Sequence, residues 1–107
     1  MTERSASSPI RSPADCRAMN EVRAEIDRLD NLLVPLIGER SGYVARAAEL
    51  KPNRAAIVDE ARISEIVAKV RAQAVAEASD PDLMEAIYRA MIAAFIAFEE
   101  KNFDRKG

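Results

Sequence analysis

A chain of 107 residues with 16 Lys and Arg against 18 Asp and Glu, formal net charge −2, has room for one domain and lacks the basic surplus of a nucleic-acid or anionic-membrane binder. It has no histidine and one cysteine, Cys16, which removes Ser-His triads and most zinc sites and leaves no internal disulfide. No run of about 18 apolar residues marks a transmembrane helix, and the start MTERSASSPIRSP lacks the apolar core of a secretory signal, so the cytoplasm is expected.

Residues 1–18 are rich in Ser and Pro without periodicity and are expected to form a disordered lead-in to a helical domain over 19–104. The first helix is predicted from about Met19 to Lys51, where Val22, Ile26, Leu29, Leu33, Leu36, Tyr43, Ala47 and Leu50 keep a helical step. At about 1.5 Å per residue it approaches 50 Å, more than a lone small domain covers, so a partner surface is expected. Pro35 removes a backbone bond to Asn31 and predicts a kink. Gly38 and Gly42 weaken the helix further. The stripe stays in phase across all three, which favours one bent helix, with a split into two as the alternative. Pro52 ends it, and KPNRAAIV reads as a loop. Asp59 as N-cap and Glu60 in the first turn start a second helix with the stripe Ile63, Val67, Val70 and Ala74, ending near Ser79. Asp80, Pro81 and Asp82 start a third. Its stripe is Met84, Ile87 or Tyr88, Met91, Phe95, and Phe98 or Glu99. Strand-like alternation is absent, so the fold class is all-α with three helices.

Some charged residues stand where apolar side chains belong. The step after Leu36 lands on Arg40, and a guanidinium on an inner face is costly unless an anion meets it; the alternative is that it snorkels to the rim or pairs with a core carboxylate. Lys51 lies eleven residues on, about three turns, and shares a face with Arg40. Alone it reads as a solvated helix end favoured by the dipole. Arg62, beside Ile63, is either a binding cation or a surface residue at the stripe edge, and Asp59 either a site carboxylate or only a cap. Glu99 follows Phe95 by one turn. A carboxyl turned inward there favours its neutral form, which can donate a hydrogen bond; with Phe98 inward instead, Glu99 looks out. Arg23 precedes Arg40 by seventeen residues, about 25 Å along a helix and off its face. One small molecule could not touch both from a single chain, so a functional Arg23 would serve another copy's pocket. Cys16 shows no activating surroundings.

The stretch VRAEIDRLDNLLVPLIGERSGYVARAAELK resembles the first helix of the all-helical chorismate mutases: an Arg opening an EIDRLD-like run, an ER pair, then a Lys. AAIVDEARI and YRAMIAAFIAFEEK continue the likeness in order, which covers about Cys16 to Lys101. The resemblance implies an intertwined homodimer of three-helix chains, which would account for a first helix too long for its own chain. It implies that Arg40 and Arg62 bind the two carboxylates of a small dianionic substrate, with Arg23 reaching in from the partner chain. Lys51 would donate to the ether oxygen whose bond to carbon breaks, and Asp59 would approach the ring hydroxyl. Glu99 falls where many members have glutamine, the second donor to that oxygen, and some relatives carry glutamate.

Conversion of chorismate to prephenate, a step in aromatic amino acid biosynthesis, is a one-step pericyclic rearrangement. It needs no nucleophile, metal or cofactor, so the missing histidine is no obstacle. It needs the dianion folded into a reactive shape, which bidentate arginines enforce, and donors where the ether oxygen gains electron density. A chorismate mutase is therefore the expected enzyme. Two positions depart from the pattern. Many mutases have an acid directly after the second-helix arginine, where this chain has Ile63, and SPADCRAMNEVRAEIDRLD with YVARAAELK looks especially like the isochorismate-pyruvate lyases of the same fold, which also lack that acid. An ionised Glu99 would repel the developing oxyanion, so activity is expected to rise as pH falls. A non-catalytic helical dimerisation module is the third reading.

Overall fold

A computed structural model describes residues 9–105, which hold no strand. Three α-helices appear among them: α1 (Met19–Leu50), α2 (Glu60–Ala76) and α3 (Pro81–Arg105). This is the all-α class expected from the periodicity. None of these helices is long and apolar enough to cross a membrane. Residues 1–8, the start of the expected lead-in, lie outside the described residues. The chain divides after Glu39 into two units.

In the first unit a 3-10 turn, Pro13–Asp15, precedes the early turns of α1. Carboxylates of those turns hold the incoming segment. Glu21 accepts from the Arg17 backbone N–H at 2.6 Å, and Glu25 accepts from the Arg11 N–H at 3.2 Å and from Arg28 Nε at 2.8 Å. Arg28, then Arg11, hold the Glu25 carboxyl below its ordinary range. Acid in the first turn also suits the positive end of the helix dipole. Pro35 sits inside a continuous α1, so the alternative of two helices is not realised. The apolar stripe of this unit is uncovered: Ile26, Leu29, Leu33 and Leu36 are 51, 47, 50 and 61% exposed.

The second unit contains the last turns of α1, a loop with a 3-10 turn Arg54–Ala56, and the helices α2 and α3. Its core is Ala48, Ile57, Val67, Val70, Ala74 and Ile92. The expected caps form. The Asp59 side chain accepts from the Arg62 N–H at 3.0 Å, and Asp80 accepts from the N–H groups of Asp82 and Leu83 at 2.9 and 3.4 Å. Both satisfy orphan donors at a helix start.

The second helix stops at Ala76 rather than near Ser79 because its end closes as a Schellman motif. Ser79 N–H donates to Ala74 O at 2.8 Å and Ala78 N–H to Val75 O at 3.1 Å, with Ala78 at φ 58 in the left-handed region this motif requires. The turn folds α3 back on α2. Arg71 fastens the pair, donating to Asp82 at 3.0 Å and Glu85 at 2.8 Å, and these two acceptors raise its pKa. Glu85 also accepts from Arg89 at 2.7 Å; Arg89, then Arg71, hold its carboxyl below the usual range.

Candidate active site

The second unit forms a cavity of about 420 Å³ that is open to solvent on one side, within the range of small-molecule sites. Five of the six residues singled out by charge line it: Arg40, Lys51, Asp59, Arg62 and Glu99. Three cations against two carboxylates give the wall a cationic excess inside a chain of net charge −2. The remaining wall is largely apolar, with Ile57, Ile63, Ile92 and Phe95 among it.

Arg40 is half-buried on α1. Its guanidinium carbon lies 4.7 Å from the centroid of the Phe95 ring, a cation–π contact, and Phe95 is itself set edge-on to Phe98 at 6.2 Å. No carboxylate among the described residues lies within ion-pair distance of Arg40, which leaves its donors open to an anion. Arg62 differs. Its guanidinium donates to Glu65 at 2.9 Å, an i,i+3 pair with both side chains more than half exposed. Such a pair is weak, so an arriving carboxylate can take its place at small cost.

Lys51 follows the last turn of α1, where its N–H reaches Ala47 O at 3.0 Å. Its ammonium pairs with the Glu99 carboxylate and donates to the Ile57 carbonyl at 3.5 Å. Glu99 is only 6% exposed and Phe98 37%. Of the two phases the pattern allowed, the third helix adopts the one with the carboxyl inward; at the other ambiguous step Tyr88 turns in, and Ile87 is 49% exposed. Asp59 lines the cavity and is also the α2 cap.

Arg23 is the residue not brought here. It belongs to the first unit, is exposed, and is not part of the cavity lining. Sequence reasoning missed several members. Ile57 was placed in a plain connecting loop, yet it is 4% exposed; its signal was an apolar residue midway between two charged site candidates. Ile92 was left off the third stripe although it stands four after Tyr88 and three before Phe95. No sequence signal marks Phe95 as the platform for Arg40, or Lys51 as the partner of Glu99, because both contacts join helices far apart in the chain.

The family described as chorismate mutase type II matches residues 22–100. With the isochorismate pyruvate lyase of Pseudomonas aeruginosa the chain is 28% identical over 92 residues, which cover 86% of this chain and 91% of that relative.

Proposed function

The chain belongs to the chorismate mutase type II family, and from that premise we propose that it is a cytoplasmic homodimer converting chorismate to prephenate in aromatic amino acid biosynthesis. The observation that carries this reading is Arg40, a half-buried cation on a cavity wall whose donors no carboxylate claims among the described residues. With Arg62 it holds the two carboxylates of the dianion, and this clamp folds the substrate toward its reactive shape. As the ether C–O bond breaks and the new C–C bond forms on the ring, negative charge gathers on the ether oxygen. The Lys51 ammonium donates there. Glu99 stands beside that ammonium, and Asp59 takes the ring hydroxyl. The uncovered stripe of the first unit fits against a second copy, which brings Arg23 of the partner subunit to the cavity.

A second reading, isochorismate-pyruvate lyase with release of salicylate and pyruvate, is favoured by one observation. Ile63 lines the cavity directly after Arg62, where an acid would otherwise reach the ring hydroxyl, and the Pseudomonas relative bears that name.

The test is a parallel assay of the purified protein with chorismate and with isochorismate from weakly acidic to alkaline pH. Prephenate from chorismate with little salicylate supports the mutase, and dominant salicylate and pyruvate replace it with the lyase. Lys51→Ala removes the cation beside Glu99 and should lower the saturated rate of whichever reaction the wild type performs about a hundredfold or more; an unchanged rate removes Lys51 from the donor role.

A further inference from the structure

We propose that Arg54, which lies outside the cavity, is a positioning residue for Lys51, clipping the loop 51–59 to the last turns of α3. The inference rests on the reading that Lys51 acts in the cavity. That loop begins and ends on site residues, Lys51 and Asp59, and has internal structure of its own. The Asn53 side chain accepts from the Ala56 N–H at 3.2 Å, and the Ile57 N–H donates to Arg54 O at 3.1 Å. This turn buries Ile57 as a wall of the cavity and points its carbonyl at the Lys51 ammonium, 3.5 Å away. Where the turn sits therefore sets where the ammonium stands.

Two attachments to α3 fix the turn. The inner one is the Lys51–Glu99 pair. The outer one is Arg54, whose guanidinium pairs with Asp104 and lies 5.7 Å from the centroid of the Phe103 ring. A substrate that draws on the Lys51 ammonium must loosen the inner attachment. The outer one stays intact and keeps the loop in place while the inner contacts are exchanged. The Arg54 and Asp104 side chains are 52 and 60% exposed, and exposed pairs contribute little to folding. The clip thus acts on the aim of Lys51, to which rate is sensitive at the level of an ångström.

Arg54→Asp and Asp104→Arg, each alone, are expected to lower kcat about three- to tenfold with KM changed less than about twofold, since Lys51 is used in the transition state and a clip this exposed is weak. The melting temperature should stay within about 2 °C, as for surface substitutions generally. The double variant restores the pair with its charges exchanged and should return kcat to within about twofold of wild type, which assigns the loss to this pair rather than to either side chain alone; the unchanged KM and melting temperature separate positioning from a structural role. Single variants with kcat within about 1.5-fold of wild type, or a double variant no better than its worse parent, overturn the proposal. If the wild type turns over neither chorismate nor isochorismate, the functional reading fails and the clip is read by amide exchange instead. Asp104→Ala should then speed exchange at Ile57 at least about fivefold, as local opening requires, and an unchanged rate there overturns it.

Discussion

Ile26, Leu29, Leu33 and Leu36 step along their helix much as Val67, Val70 and Ala74 do along theirs, yet the first group is 47–61% exposed and the second at most 7%. Periodicity states which face of a helix is apolar and is silent on what covers it. In the second unit the cover comes from the same chain, because the turn after Ala76 lays one helix back on the other. In the first unit, among the described residues, nothing of that kind follows, and the stripe is left for another surface. On the proposed reading a contiguous apolar face of this kind is where the second copy sits. The cations singled out in the sequence divide along the same boundary: Arg40, Lys51 and Arg62 in the second unit line the cavity, and Arg23 in the first does not.

The largest expected effect bears on that division. Arg40→Ala and Arg23→Ala should each lower kcat/KM about a thousandfold, the order expected when one charged donor is lost from a desolvated site, with little change in melting. If the two arginines of one site come from different copies, refolding the two inactive variants together regenerates one intact site in each mixed dimer. Half the dimers are mixed and half their sites intact, so by symmetry about a quarter of wild-type activity returns. An inactive mixture breaks the proposed division of labour and withdraws Arg23 from the partner's cavity.

Covering itself is next in size. Val70→Ala leaves a cavity in a self-covered core and should cost about 2 kcal/mol, read from urea unfolding. Leu33→Ala distinguishes the two units. Bare in solution, Leu33 would cost no more than about 0.5 kcal/mol; buried against a second copy it costs about 3 kcal/mol. The second result is expected, together with a midpoint that moves with protein concentration. A small, concentration-independent change would mean that the first unit's stripe stays uncovered.

Helix starts were the most legible part of this chain, because Asp59, Asp80 and Pro81 act locally: a cap binds N–H groups two or three residues away, and no tertiary contact is needed to recognise it. The inward face of the second helix was equally plain, since Ile63, Val67, Val70 and Ala74 leave one phase open. The third helix was not, because it is apolar on several sides and Phe98 and Glu99 compete for adjacent directions; the inward Glu99 carboxylate pairs with the Lys51 ammonium, a contact Phe98 could not make. Five residues of the cavity wall were singled out in the sequence by their charge. What they touch was not legible, since the Phe95 ring under Arg40 and the Asp104 carboxylate on Arg54 come from residues more than forty positions away. The end of the second helix was also missed, for a different reason. The left-handed position of its closing motif holds Ala78 rather than glycine, so the usual mark of a helix end is missing from the sequence.

That alanine gives the smallest and sharpest comparison between the units, since the turn it occupies is what lets the second unit cover its own stripe. A side chain in the left-handed region costs roughly 1 kcal/mol, and glycine removes this cost while adding unfolded-state entropy of somewhat smaller size. Ala78→Gly should therefore stabilise the protein by about 0.5 kcal/mol, seen as a higher urea midpoint at unchanged slope. The hydrogen bonds Ser79 N–H to Ala74 O and Ala78 N–H to Val75 O persist in the variant, so a gain isolates the backbone conformation from the bonds it serves. A lower midpoint would mean that the methyl group of Ala78 contributes more through its contacts than its backbone angle costs, and the fold-back of α3 on α2 would then depend on side-chain packing at the turn rather than on the closing motif alone.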